Sequence, residues 1–325
     1  MNLSSPTLAN SPWDRSTWLS PAVDGDSAPL ASIGVLCYNR RDDLRRTLDV
    51  LTHAVDYPAL EIIVVDNAST DGTDSMLAAE FPNVTAIRMP ENISVAARNE
   101  FYRAARGKYV FSYDDDSFPA TPSTIARAVA YLESRPEIAA VSFFCYQPRS
   151  NFAETGGLEQ FYFDGDAING YRGLYFVEGG MCIRKDAIDR IAGYDPDFQW
   201  GAEGADLTLQ MYRLRLQTVY YPMLATLHMR SDVHRDDVRN ARYFTRNYIW
   251  TIAKHFPWYA AIILTILYMI RRCIAMVLHP KLARGYIGGM FSGLVGWIWQ
   301  RSKTKKLSMR QVLRLGRWYV FLFRW

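Results

Sequence analysis

Lys108-Tyr-Val-Phe-Ser-Tyr-Asp-Asp-Asp-Ser117 joins a strand-forming run to three consecutive carboxylates, Asp114, Asp115 and Asp116. Aromatic and β-branched residues suit a pleated backbone, and Asp and Ser suit the turn that follows it. The three acids repel one another, so each makes its neighbour harder to ionise. Relief requires positive charge. A divalent cation with a phosphate-bearing ligand supplies it, because hard ions take carboxylate oxygens and complete their shell with water and phosphate. A solvated acidic turn that caps a helix near Pro122 is the plainer alternative. This decapeptide alone does not choose between them.

Working outward, short apolar runs alternate with amphipathic stretches from Ala31 onward. Ser32–Cys37 and Leu60–Val65 read as buried strands, and Asp42–Val55 as a helix with Leu44, Leu48 and Leu51 on one face. That βαβ pattern makes the strands parallel through a right-handed crossover. A helix over Asp74–Phe81, a strand over Val84–Arg88 and a helix over Ser94–Arg106 precede the strand that delivers the triplet. Further strands are expected at Ala139–Phe144 and Leu174–Val177, the second followed by the turn Glu178-Gly179-Gly180. Gly201–Asp206 then opens a helix through Leu216. The fold class is therefore α/β with a mostly parallel sheet, in which ligands gather at the carboxyl ends of strands. Tyr38-Asn39, Asp66-Asn67 and the triplet all fall at such ends.

Cys37-Tyr-Asn-Arg40, Val65-Asp-Asn-Ala-Ser-Thr-Asp-Gly-Thr73, Asn92-Ile-Ser-Val-Ala-Ala-Arg-Asn99 and Tyr113-Asp-Asp-Asp-Ser117 follow one another in that order. From about Ala31 to Lys254 the chain resembles the family-2 inverting glycosyltransferases of GT-A fold, including bacterial rhamnosyltransferase-like members. The resemblance implies a Rossmann-like domain, a nucleoside-diphosphate sugar donor and Mn2+ or Mg2+ as cofactor. By the same resemblance Tyr38, Asn39, Asp66, Asn67, Arg98, Asp114 and Asp115 are nucleotide-sugar residues, with Asn99 beside Arg98. Asp116, Asp114 and His228 become the metal set, and Arg230 a phosphate partner.

An inverting transfer also needs a general base near the acceptor hydroxyl. The resemblance places it in a Gly-Glu-Asp-x-Asp-Leu type segment, matched here by Ala202-Glu-Gly-Ala-Asp-Leu207. Glu203 stands at the family's Glu, whereas Gly204 replaces the usual base. Glu203 is the first candidate and Asp206 the second. Asp206 has another reading, as a first-turn carboxylate favoured by the helix dipole. Trp200 matches the border of the acceptor pocket, with a place in the core as its alternative.

Charge divides the chain sharply. The first 237 residues carry 21 Lys and Arg against 33 Asp and Glu, a net −12, while the last 88 carry 16 basic residues and no acidic one. A basic end of this kind meets a polyanion, nucleic acid or an anionic leaflet. Its aromatic content favours the leaflet and gives no nucleic-acid partner. Pro257–Ile270 and Tyr286–Trp299 are apolar runs of 14, short of the roughly 20 residues that span a bilayer, so in-plane amphipathic helices are expected. Gly285, Gly289 and Gly293 repeat a close-packing spacing. A subdomain packed on the catalytic body, or a homodimer interface, is the alternative use of this region, and a hairpin that spans the bilayer with Arg271 and Arg272 snorkelling is a lesser one.

The expected organisation is a flexible tail over residues 1–30, which hold six Ser and four Pro and lack a secretory pattern, a catalytic domain over 31–237 and a membrane-associating region over 238–325. Four scattered cysteines with no CxxC pair argue against a zinc site or disulfide framework. The function read from the sequence is sugar transfer to a glycan or lipid-linked acceptor at the cytoplasmic face of a membrane, in peripheral or monotopic attachment. A nucleotidyltransferase or a non-catalytic nucleotide-sugar-binding protein is the alternative.

Overall fold

The structure is a computed structural model that describes residues 30–148, 150, 152–153, 164–173, 178–230 and 236–315. The expected N-terminal tail up to residue 29, the expected strand at Leu174–Val177 and the aromatic terminus Trp318–Trp325 lie outside the described residues.

The first half follows the pattern of alternating runs: β1 (Ala31–Cys37), α1 (Arg41–His53), β2 (Leu60–Asp66), α2 (Thr73–Glu80), β3 (Thr85–Arg88), α3 (Arg98–Ala104) and β4 (Tyr109–Asp114). The helix expected from Ser94 divides in two, a 3-10 turn at Ser94–Ala97 and then α3. Beyond the triplet come β5 (Ser117–Pro119), α4 (Thr124–Glu133), β6 (Ile138–Gln147), β7 (Phe152–Ala153), β8 (Asp164–Asp166), β9 (Gly170–Arg172), β10 (Met181–Arg184), α5 (Lys185–Ile188), α6 (Glu203–Arg213) and β11 (Gln217–His228). Neither β10 nor β11 was expected. Both are almost wholly buried, so their sequences show little period-2 alternation.

The sheet runs β3-β2-β1-β4-β10-β6-β11-β9-β8. β10 is antiparallel to both β4 and β6, while β1–β4 and β11–β6 are parallel pairs. Cys37 is in register with Asp66, and Leu36 with Asp114. Three loops therefore leave the sheet along one edge. One core layer sits under α1 and α4 and is centred on Val35, Leu48, Phe111 and Phe143; another holds Val65, Phe101, Met181 and Leu207.

The basic end forms α7 (Asp237–His255), α8 (Trp258–Leu278), α9 (Ala283–Val295), α10 (Trp297–Ser302) and α11 (Met309–Leu315). It shares a third core layer with the sheet, since Tyr248, Ile252, Phe256, Tyr268 and Leu307 pack with Phe144, Ala205, Leu209 and Tyr220. Among the described residues, core packing continues from the sheet and α6 into the helices beyond residue 237. The glycine stripe meets α7 within the chain: a methyl group at Gly289 would lie 2.6 Å from Arg242 O, and one at Gly293 2.8 Å from Ile249 Cδ1.

The expectation of two runs too short to cross a bilayer is corrected for the first. α8 is one helix of 21 residues, long and apolar enough to cross a membrane by length and composition, with a mean hydropathy of 2.1. Arg272 does not break it, because the buried guanidinium lies over the Tyr268 and Tyr286 rings at 5.0 and 5.4 Å.

Candidate active site

The Asp triplet meets cations of its own chain. Arg40 donates to Asp115 at 3.0 Å and lies 3.6 Å from Asp116. Arg98, 4% exposed, bonds Asp114, Ser112 Oγ at 2.8 Å and Tyr113 O at 3.3 Å. Burial, opposed by Arg40 and reinforced by Asp116 and Asp114, pushes Asp115 up to about 7. A solvated turn does not look like this, because Asp115 and Asp116 are buried.

His228 reaches the triplet through sheet pairing. Antiparallel contact of β5 with β11 sets His228 opposite Ser117, and Met229 N donates to Asp116 O at 2.8 Å. The imidazole Nε2 then lies 3.2 Å from Asp116 Oδ1. One ligand atom each from Asp114, Asp116 and His228 falls within 4.8 Å of the others. Two carboxylates and an imidazole form a donor set that fits a divalent ion.

Across the site, Glu203 begins α6. The residues before it, Gly201 and Ala202, have φ of +85° and +65°, a left-handed entry that strains an alanine. Among the described residues, five of the six non-glycine residues with positive φ flank this edge, namely Asn39, Ala68, Ser94, Ala202 and Arg230. Such strain collects at functional loops because the surrounding packing holds it. Glu203 Oε2 is shielded from solvent and has no hydrogen-bond partner. Burial pushes its carboxyl up to about 6, against donation from backbone N–H groups and the charge of Arg98.

Asp206 has a different setting. It is 1% exposed and accepts from Lys254 Nζ at 2.9 Å and Gln210 Nε2 at 2.9 Å, with His255 Nε2 2.7 Å from its other oxygen. Burial would raise its carboxyl, but Lys254 and His255 outweigh it and hold the acid well below the usual range. With both oxygens engaged, Asp206 fits the dipole-and-anchor reading rather than that of a base.

Residues 32–192 match the profile described as Glycosyl transferase family 2. That segment belongs to glycosyl transferase family 2. The uncharacterised glycosyltransferase YfnE of Bacillus subtilis is 32% identical over 118 residues, covering 35% of this chain and 30% of YfnE. TuaG of the same organism, a putative teichuronic acid biosynthesis glycosyltransferase, is 36% identical over 93 residues, covering 27% of this chain and 36% of TuaG. The chain thus spans about a third of the length of the curated relatives it matches. Among solved structures, the mannosyltransferase PcManGT of Pyrobaculum calidifontis, in complex with GDP-Man and Mn2+, shares the fold with a TM-score of 0.57. It is 19% identical and covers 87% of this chain and 90% of its own. The GT-A fold expected from the motifs is the fold observed.

Within this family 2 domain the motif residues divide into presenters and holders. Tyr38 is 38% exposed at the rim. Asn39 Oδ1 accepts from Thr70 N at 2.7 Å and so ties two strand-end loops together. Asp66 accepts from Ser69 N at 2.9 Å and Arg88 Nη1 at 3.0 Å. Asn67 donates to Asn92 Oδ1 and Ser94 O and accepts from Ile93 N, which spends its amide on the loop leading to Arg98. Asn99 holds the 193–194 loop through Tyr194 O and N. Arg230, exposed, reaches Gln147 Oε1 at 3.2 Å. Trp200 is 38% exposed with its ring against Phe244 at 4.8 Å, neither core nor free. A cleft of about 310 Å3 between α2 and β3, lined by Asp66, Leu77, Phe81 and Arg88, shares no residue with the triplet.

Two residues escaped the sequence reading. Arg40 is in the quoted motif, yet only the turn after β1 aims it at the triplet. Glu178 follows no recognisable pattern; its carboxyl is pushed well above the usual range by burial and then by Glu203.

Proposed function

We propose that this chain is a metal-dependent, inverting glycosyltransferase that moves a sugar from a nucleoside diphosphate sugar to an acceptor hydroxyl. One observation carries the reading: Arg98 bonds Asp114 of the two-carboxylate, one-imidazole cluster, and its charge also acts on Glu203, which keeps a buried, partnerless oxygen. Asp114, Asp116 and His228 would hold Mn2+ or Mg2+, with the imidazole favouring Mn2+. The bound ion would supply Lewis-acid relief of charge on the departing diphosphate. Tyr38 offers a ring face to the nucleoside, and Glu203 takes the proton of the attacking hydroxyl. PcManGT, solved with GDP-Man and Mn2+, supports the donor and metal classes.

The acceptor side supports a membrane setting. Ile263, Ile266, Ile274 and Val277 on α8 and Phe291 and Val295 on α9 are exposed, in a region with 16 basic and no acidic residues. A second copy would set like charges against one another, whereas an anionic leaflet attracts them. We therefore place the enzyme on the cytoplasmic face of a membrane, acting on a lipid-linked or cell-surface glycan acceptor. The name of TuaG fits that setting. Family membership removes the support for a nucleotidyltransferase, and Glu203 answers the vacancy at Gly204 that favoured a non-catalytic protein.

The test is binding of UDP-, dTDP- and GDP-sugars with Mn2+ or Mg2+, repeated with Asp116→Ala. Affinity that requires the cation and falls at least tenfold in the variant is expected. Metal-independent binding, or none, overturns the proposal.

A further inference from the structure

Glu178 stands in the turn that enters β10, and the two glycines after it press that turn onto the site. A methyl group at Gly179 would lie 2.9 Å from Asp114 Oδ2 and 3.4 Å from Ser117 Oγ, while one at Gly180 would collide with Thr226 Oγ1. Side chains at 179 and 180 would therefore push this turn off Asp114 and Thr226.

Its surroundings leave it unsatisfied. Glu178 Oε1 is shielded from solvent with no hydrogen-bond partner, and so is Glu203 Oε2. After burial, the charge of Glu203 acts most strongly on Glu178; next comes that of Arg98, which Asp114 already engages. One guanidinium thus serves three carboxylates. A buried acceptor without a donor costs about 1–3 kcal/mol, more when charged, so two of them in one site call for donors from elsewhere. The buried Lys254 is taken by Asp195 and Asp206.

Resting on the proposed transfer reaction, we propose that Glu178 is a carbohydrate-binding residue whose Oε1 accepts a hydrogen bond from a sugar hydroxyl next to the reacting centre. The ligand class is a polyhydroxyl ring rather than a simple alcohol, with one hydroxyl for Glu203 and a neighbour for Glu178. That ring belongs either to the donor or to the acceptor. Glu178 would hold the sugar in register, and the proton transfer stays with Glu203.

The test uses the full chain with Mn2+ and measures three quantities for wild type, Glu178→Gln and Glu178→Ala. These are the Kd for the bare nucleotides UDP, GDP and dTDP, the KM for the sugar nucleotide in hydrolysis, and the KM for a saccharide acceptor in transfer. We expect bare-nucleotide Kd values within twofold of wild type, which also reports an intact fold, and a rise of tenfold or more in one KM. A rise for the sugar nucleotide assigns the hydroxyl to the donor, and a rise for the saccharide assigns it to the acceptor. If both KM values stay within twofold, Glu178 contacts no sugar and the proposal is overturned. Equal loss of bare-nucleotide binding in both variants overturns it too, because Glu178 then only supports the fold. If the wild type binds no nucleotide, the proposed function itself has failed.

Discussion

Glu203 and Asp206 lie one helical turn apart on α6 and illustrate how much a neighbour decides. Glu203 must be ionised to accept a proton, and its carboxyl sits at about 6. Transfer should therefore rise with pH through about 6 and level above it, and Glu203→Gln should lower kcat by about 100-fold or more and abolish that limb. A pH–rate profile flat from 5 to 8 in the wild type would remove Glu203 from the role. Because its folded pKa is raised above the ordinary 4.5, ionised Glu203 weakens the fold at neutral pH, so Glu203→Gln should melt slightly higher than wild type. Asp206 has the opposite sign. Its lowered carboxyl contributes stability that is present above its unfolded value of about 3.9 and lost as pH falls through the folded one. His255, kept neutral by burial, adds to acid lability below about 6.5, where the unfolded chain gains a proton that the folded chain refuses. Removing one partner, as in Asp206→Ala, should cost about 3–5 kcal/mol in urea denaturation by leaving Lys254 buried beside Asp195 alone. The sequence ranked these two acids by motif position; only their partners separate an open carboxylate from an anchored one.

At the scale of elements, the site is made by pairings distant in sequence. His228 owes its place to β11, a strand too uniformly buried to show alternation, and to the three residues of β5 that pair with it. His228→Ala should weaken Mn2+ binding about tenfold or more, read by calorimetry, with secondary structure unchanged. The entry to α6 is gripped by α7, where Asn247 Nδ2 donates to Trp200 O at 2.8 Å and Gly201 O at 2.7 Å. α9 braces α7 in turn along the glycine stripe. Gly289→Leu should therefore destabilise the protein by about 1–3 kcal/mol, since a side chain there meets backbone that cannot yield. A melting temperature equal to wild type would show that α9 stands off from α7. Glycine spacing announced a close helix contact in the sequence, but not whether its partner was lipid-embedded, a second copy or α7.

Across the whole molecule, acidic body and basic end form one folded unit. Lys303 pairs with Asp195 at 2.6 Å and Asp197 at 2.7 Å, Lys254 binds Asp195 and Asp206, and Leu307 N donates to His255 O at 2.8 Å. Opposite net charges attract along this seam. Truncation near Lys254 should accordingly unfold the segment around Glu203 rather than release a soluble catalytic domain. The exposed apolar face of α8 and α9 is the surface proposed to meet the membrane. Ile263→Asp with Phe291→Asp should abolish flotation with anionic liposomes while leaving nucleotide binding intact. Wild-type binding should weaken as salt rises past about 0.15 M, where charges are screened beyond about 8 Å. Flotation unchanged by the double variant would locate the contact elsewhere.

The sequence by itself determined the α/β class, the strand-end loops and the family, because hydrophobic period and turn chemistry are local and motif order survives in one dimension. It also determined the charge division and the presence of an acidic triplet in need of cations. Only the tertiary structure decided which groups meet the triplet: the cations Arg40 and Arg98 arrive from α-helical starts 74 and 16 residues before Asp114, and the imidazole of His228 from a strand end far downstream. It likewise decided that Asp206 is paired, that the charge of Glu203 acts on the buried Glu178, and that the basic end belongs to the core. Burial and charge pairing are sums over neighbours in space, and a carboxylate acquires its role from those neighbours.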